Sequence, residues 1–496
     1  MIHRHLKILT GALLLSCTFS AAAEKKKNVL FIIADDLTAR ALSCYENKAS
    51  KTPNIDKLAT EGIRYTRTYC QFPVCGPSRA SLMSGYYPLG SGAMGYASGR
   101  KQIGDRITWT QHFQNNGYHT ARVSKIFHMN VPGNICSGSN GADDALSWNE
   151  RHNVKAQEMH MEGEGEMLER NPDGTKPVKF GNHLQYVKGG EADELYADAQ
   201  AADKACELLK EYKQSLDKPF FLAVGFVRPH VPFVAPKSYF EAYPIDQVVM
   251  PKKVEGDHED IPEAGLGQFT SSERKVTPLQ EKKAVAAYYA AVAHMDAQVG
   301  KVLTTLKEQG LEDDTIIIFT SDHGYHLGEH NFWMKISVHE ESARVPMIIK
   351  VPGKEATVCH TLTELVDLYP TISEACGLDI PKNIQGKSLY KTFDDPAHSV
   401  RDAALSMNGR GMLLRTKNWA YIEYANGDNG AELYDMVKDP QQFVNLVKDP
   451  EHASTLKNVQ QMLIEKKKWI MQSDIRKERA SAPNPETKKK RKKAKT

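Results

Sequence analysis

The 496-residue sequence predicts an α/β fold: a large, mostly parallel (mixed) sheet flanked by helices, with a small C-terminal α+β subdomain of antiparallel strands. Three observations predict it. Uninterrupted β-branched and aromatic runs at 29–33, 220–224, 315–320 and 347–351 read as strands buried on both faces. Between them, apolar residues recur every three or four positions, as at Val285, Tyr288, Val292, Met295, Val299 and Leu303, the spacing of amphipathic helices. Beyond Arg401 the texture changes to short strand candidates at 412–415, 419–424 and 431–434, separated by turn residues such as Asn426-Gly427-Asp428-Asn429-Gly430. A helix carrying Leu456, Val459, Met462, Leu463 and Trp469 is expected to pack on them.

Residues 1–23 read as a cleaved secretory signal: Arg4 and Lys7, an apolar run over 8–19, then Ala21, Ala22 and Ala23 ahead of Glu24. That run is shorter than the roughly 20 residues a membrane-spanning helix needs, and no later segment approaches that length. Leu14-Leu15-Ser16-Cys17 also has the form of a lipoprotein cleavage box, which leaves anchoring through Cys17 as a second reading. The chain is therefore expected to be exported, periplasmic or secreted. Residues 24–400 make the large unit, 401–475 the small subdomain and 476–496 a basic disordered tail. Net charge is +3, but seven of the last nine residues are Lys or Arg, so the remainder is acidic. Such a distribution describes a tail and not a nucleic-acid-binding face, and no nucleic-acid partner is expected. The composition, 41% hydrophobic and 25% charged, excludes a wholly disordered or fibrous chain. Eight cysteines in an exported chain permit disulfides without demanding them. No C-x-x-C pair marks a zinc site and no bridge is assigned, Cys359 with Cys376 being the one pairing entertained.

Within the large unit the chemistry gathers at strand ends. The first run stops at Ala34-Asp35-Asp36 and the third at Ser321-Asp322-His323-Gly324. Ligands of such sheets collect at the C-terminal ends of strands, so two acid-bearing ends mark one place. Three carboxylates form a hard, oxygen-rich donor set for calcium or magnesium, from which one His nitrogen departs. The plain alternative is that Asp35 and Asp36 cap a following helix. In Cys75-Gly76-Pro77-Ser78-Arg79-Ala80-Ser81-Leu82-Met83-Ser84-Gly85, Pro77 suits the first turn of a helix. Residue 75 then sits at a helix N-terminus, where free amides favour anions, with Arg79 one turn along and able to hold a group at 75. Lys125 and His128, three apart, share one face if their segment turns helically. Pro229-His230-Val231-Pro232 restricts the backbone around His230, which suits a pre-positioned group. Residues 130–190 are polar, Gly-rich and weakly periodic, and are expected to be long surface loops near a substrate mouth. His326 and His330 are expected at the surface, with substrate contact as the other reading.

The string from Cys75 to Gly85 resembles the C-x-P-S-R signature of the type I, formylglycine-dependent sulfatases, an alkaline-phosphatase/sulfatase-like fold. The resemblance extends over about residues 28–446 and is nearest to iduronate-2-sulfatase-like members, with a choline-sulfatase-like flavour at 340–346. It implies that Cys75 is oxidised to formylglycine by a maturation enzyme, and that Asp35, Asp36, Cys75, Asp322 and His323 bind a cation, calcium ahead of magnesium. Segment 117–128 resembles the stretch that contributes a catalytic Lys and His, here Lys125 and His128. It has Val123-Ser124 where many relatives carry Gly before the Lys. Segment 220–233 matches the stretch with the catalytic His230, and 321–335 ends on the sulfate-gripping Lys335. With Cys75 and Arg79 these complete the implied catalytic set. The implied activity is removal of sulfate from a sulfated glycan, a 2-O-sulfated uronic acid or similar sugar of a glycosaminoglycan or algal polysaccharide. Choline sulfate, or a phosphonate or phosphate monoester, is the alternative substrate. Oligomeric state is not legible.

Overall fold

The computed structural model describes residues 26–96, 99–171, 173–176, 183–266 and 270–472. The signal at 1–23 with Cys17, and the basic tail, lie outside the described residues. A nine-stranded mixed sheet forms the centre, in the order Thr357–Cys359, Ile63–Tyr69, Arg344–Lys350, Thr315–Ser321, Asn28–Asp35, Phe220–Pro229, His119–Ser124 and Glu150–His152, with Thr363–Glu364 pairing Ile63–Tyr69 off this path. Asn28–Asp35 lies between two parallel partners, Phe220–Pro229 and Thr315–Ser321. The run expected at 347–351 is the strand Arg344–Lys350, and it is antiparallel to both neighbours.

Alternation of side chains divides the core into two layers. Leu30, Ile32 and Ala34 point to one face, where Val285, Tyr288, Val292, Met295 and Val299 of the helix Pro278–Glu308 cover them. Val29, Phe31 and Ile33 point to the other, against Trp109, Phe113, Leu368 and Ile372. Each fully buried side chain of this kind contributes roughly 1.5–3 kcal/mol, so cutting Ile32 back to Ala should cost about 2–5 kcal/mol. The long helix starts where the sequence dictates. Pro278 occupies its first turn, and Thr277 and Gln280 cap its amides reciprocally.

Two regions depart from expectation. The polar segment 130–190 is not merely loop: Gly163–Met167 and Gln185–Gly189 form a three-stranded sheet with Phe233–Pro236. The C-terminal sheet has four strands, Ala403–Met407 preceding Gly411–Thr416, Trp419–Tyr424 and Ala431–Asp435. Ala403-Ala404-Leu405-Ser406-Met407 has weak strand propensity by itself, and its pairing with Gly411–Thr416 supplies the order. One face of this sheet is covered by Val459, Leu463 and Ile470 of the helix Ala453–Gln472. Its other face sets Leu413, Ala420, Ile422 and Tyr424 against Tyr69, Val338 and Ala343 of the large unit.

The described cysteines are all free thiols. Cys359 lies against Pro396 O and Cys376 against Lys27 O, so the pairing of these two is not formed. No helix among the described residues is long and apolar enough to cross a membrane.

Candidate functional site

Parallel pairing brings the acids together. Ala34 faces Ser321 across the ladder, so Asp35 and Asp36 leave the sheet beside Asp322 and His323, all four fully buried. Asp36 adopts φ 63°, a left-handed conformation that Asp tolerates better than most residues. Its amide donates to Asp322 Oδ1 (3.2 Å), and Tyr288 braces the turn by donating to Asp36 O (2.6 Å) and accepting from Thr38 N (3.0 Å). The next helical turn, Ala39–Ala41, is flanked by Thr38, so the acids do not serve as its cap.

The helix Cys75–Ser84 begins at Cys75 itself, and no side chain caps its first amides. Cys75 Sγ lies 3.2 Å from Lys335 Nζ, 3.3 Å from His323 Nε2 and 3.7 Å from Asp36 Oδ1. Burial, then the Asp35 charge, pushes this thiol well above its usual range. A thiol so held is neutral and a weak nucleophile.

Arg79 does something other than hold residue 75. Its Nε donates to Asp322 Oδ2 (2.8 Å), Nη2 to Asp35 Oδ1 (3.2 Å) and Ala34 O (3.4 Å), and Nη1 to Lys125 O (2.5 Å) and Ile126 O (3.0 Å). A guanidinium has five N–H groups, and these five acceptors engage them all. Arg79 therefore orients the acids and carries the Lys125 backbone.

Lys125 pairs with Asp35 Oδ2, while Lys335 Nζ sits 2.6 and 2.9 Å from the two oxygens of Asp36. Burial works against the Asp35 carboxylate, yet Lys125 and Arg79 outweigh it and hold the group well below its usual range. Burial also opposes ionised Asp36, which His230, Lys335 and His323 keep low. At Asp322 burial wins over Arg79 and the group is raised. Burial alone would lower Lys335, but Asp36 and Cys75 raise it well above the usual lysine value.

The expected helical turn through Lys125 and His128 is absent. The strand His119–Ser124 runs to Ser124, which takes φ 59°, and a non-helical bend follows. A left-handed φ of this kind is one that Gly adopts without strain and Ser does not. Lys125 joins the acids. His128 stands apart, its Nε2 3.0 Å from Asn130 Oδ1 and its ring 4.5 Å from that of Tyr96. His230 joins the acids, with Nε2 4.0 Å from Asp36 Oδ2.

The donor set fits a hard cation with one nitrogen ligand. Ligand atoms of Asp35, Cys75, Asp322 and His323 lie within 4.8 Å of one another, as do those of Asp35, Asp36, Cys75 and His230. His323 Nδ1 lies 2.9 Å from Gly324 O, which can only accept, so Nδ1 carries the hydrogen, and Nε2 faces Asp36 Oδ1 at 3.2 Å and Cys75 Sγ at 3.3 Å.

Several contributors went unread in the sequence. Gly225 admits the Lys125 backbone, since a Cβ there would stand 2.1 Å from Lys125 O; a Gly inside a strand run is the signal for such an approach. Arg228 donates to His230 O and Pro232 O and pairs with Glu158, while Asp198 accepts from Val227 N (2.6 Å) and Arg228 N (2.9 Å). His326 and His330 are buried, not superficial, at 0% and 2% exposure. The ribbon that pairs His326 with Met334 folds both rings against Phe332 and His339, and His330 Nδ1 meets Asp257 Oδ2 at 3.0 Å.

The fold is the mixed α/β, sulfatase/alkaline-phosphatase-like one, and in this chain buried acids at carboxyl strand ends meet a helix terminus. The sulfatase family profile matches residues 27–378, and that of the C-terminal region of N-sulphoglucosamine sulphohydrolase matches 328–469. The chain belongs to the sulfatase family, whose members hydrolyse sulfate esters. A sulfatase of Formosa agariphila is 29% identical over 92% of this chain and 91% of its own. Iduronate 2-sulfatase of Homo sapiens is 31% identical over 74% of each chain. The phosphonate monoester hydrolase of Silicibacter pomeroyi shares the fold, with a TM-score of 0.72 at 22% identity over 90% of this chain and 96% of its own.

Proposed function

We propose that the protein removes sulfate from a carbohydrate, a 2-O-sulfated uronic acid or similar sugar of a glycosaminoglycan or algal polysaccharide, and that residue 75 acts as formylglycine. One observation carries this reading: Cys75 Sγ lies at an uncapped, buried helix terminus within 3.2–3.7 Å of Lys335, His323 and Asp36. The likeness to iduronate 2-sulfatase supports the sugar class. A neutral thiol is a poor nucleophile there, whereas a formylglycine hydrate supplies hydroxyl oxygens at the same place. A calcium ion, ahead of magnesium, held by Asp35, Asp36, Asp322, His323 and residue 75, would supply charge that stabilises an ionised hydroxyl.

The remaining work falls to this chain's own side chains. Arg79 holds Asp35 and Asp322 in register. Lys125 and Lys335 meet negative charge on the sulfuryl oxygens, where fixed cations in a water-poor site act strongly. His230 delivers the proton to the departing sugar oxygen. Its Nδ1–H is given to Val231 O (2.5 Å); burial works against the protonated ring, and the Asp36 carboxylate beside Nε2 works for it. Burial, then Lys125, hold His128 at about 3, which keeps it in the proton-accepting form. On this reading the chain is exported with residues 1–23 removed, and a formylglycine-generating enzyme oxidises Cys75. It then works as a catalytic domain over 24–400, with a small subdomain over 401–475 and a basic tail over 476–496.

Two measurements test the proposal. Intact mass should show CH2SH replaced by CHO at residue 75 in protein produced with a maturation enzyme, and an aryl sulfate should be hydrolysed faster than the matching aryl phosphate. A fully active protein with an unaltered thiol would overturn the nucleophile, and faster phosphate turnover would overturn the ester class.

A further inference from the structure

The chain that leaves the helix Cys75–Ser84 comes back to where that helix starts. Gly85 (φ 74°) ends the helix, the turn Pro88–Ser91 follows, and Gly92 (φ 76°) redirects the chain. Gly95 and Tyr96 then lie against Gly76, the residue after Cys75. A Cβ on Gly76 would stand 2.8 Å from Gly95 O and 3.1 Å from Tyr96 Cδ1, so the ring rests on the first turn of the helix and position 76 has no room for a side chain. The same ring meets the buried His128, with centroids 4.5 Å apart. The rest of it is open, and Tyr96 is 48% exposed. Burial of its hydroxyl, then the charge of residue 75, lift the phenol to about 12, and Lys335, Asp36 and Asp35 also act on it. The hydroxyl therefore keeps its proton and lies within the field of the reacting groups.

This placement separates two tasks. On the reading above, Lys125 and Lys335 meet the charge of the sulfuryl group, and Arg79 spends its donors on the acids and on backbone carbonyls. None of these offers a surface to the uncharged carbon skeleton that carries the sulfate. A half-exposed tyrosine does, because it presents a rigid apolar face with a polar tip, the kind of group that lines small-molecule sites. Covering that face with the C–H side of a pyranose removes apolar area from water. Little ordering is needed for it, since Gly76 and His128 already hold the ring.

We propose that Tyr96 is the platform on which the sugar ring of the substrate rests, recognising the carbohydrate and not its sulfate. The inference rests on the sulfatase reading above and names a binding residue within it. The test measures KM and kcat for a sulfated pyranoside, and inhibition by inorganic sulfate, in the mature wild-type enzyme and in Tyr96→Ala and Tyr96→Phe. Inorganic sulfate carries the anion without the ring. In Tyr96→Ala, KM should rise about tenfold while kcat stays within about twofold, because stacking is made equally in the ground and transition states. Tyr96→Phe keeps the ring, so its KM should stay within about threefold of wild type. The inhibition constant of inorganic sulfate should be unmoved in both variants. An unchanged KM in Tyr96→Ala would overturn the platform. So would a fall in kcat together with a weaker hold on inorganic sulfate, which would make the ring only a brace for His128. Failure of the wild-type enzyme on every sulfate ester would overturn the underlying reading, and the inference with it.

Discussion

Two regions of this molecule bury charge, and they do so differently. In the C-terminal sheet, Glu432 accepts from Tyr424 Oη (2.5 Å), Tyr434 Oη (2.5 Å) and His339 Nε2 (2.8 Å), and Tyr69 Oη (2.9 Å) donates to Glu340. Burial would raise Glu432, but His339 and the two phenols hold it below its usual range, so the network is satisfied from within. At the ends of the parallel strands, Asp35 is held far below its usual range while Asp322, on the same guanidinium, is raised. Asp322 is raised because its burial outweighs the guanidinium, whereas Asp35 has Lys125 as well as Arg79 against it. A structural network closes upon itself, whereas a reactive one is left in tension that a ligand relieves.

Predictions that break or sharpen this contrast begin with the largest. Cys75→Ala should lower kcat/KM for a sulfate ester by about a thousandfold or more while barely moving thermal stability. Retained turnover, read in a steady-state assay, would reduce the strand-end cluster to one more structural network. Next, Glu432→Ala should cost about 3 kcal/mol in urea unfolding, since two hydroxyls and an imidazole lose their buried acceptor. Because the folded Glu432 carboxyl is depressed, its contribution is complete above the unfolded value and is lost as pH falls through the lower folded value. Glu432→Gln should accordingly flatten the acid limb of stability against pH. Third, calcium at 100 times its dissociation constant should stabilise the protein by about 2.7 kcal/mol, reversed by chelation, and Asp322→Asn should weaken that response. Magnesium giving the larger response would change the assigned ion. The smallest effect belongs to Ser124→Gly, which relieves φ 59° and should raise stability by less than about 1 kcal/mol, with kcat retained.

Much of the architecture was legible because it is local. Runs of β-branched residues mark strands buried on two faces, three- and four-residue apolar spacing from Val285 to Leu303 marks the long helix, and acids follow two of those strands. The misses share a cause. Met347 announces a strand but not its antiparallel direction, which depends on the path of the intervening chain. His326 and His330 read as polar surface residues because their burial comes from a ribbon folding onto Phe332 and His339. Arg79 reads as a partner of its helical neighbour Cys75, yet its reach extends to Asp35, Asp322 and three carbonyls, on three other segments.

The amino-acid order by itself determined which elements form and which residue types are present, because periodicity, capping and motif spacing act over a few positions. Only the tertiary structure decided which donors share one space. Asp36 and Asp322 are 286 positions apart and are joined by strand pairing, not by spacing. Their ionisation follows from the burial and neighbouring cations that this pairing imposes, and no local pattern encodes either.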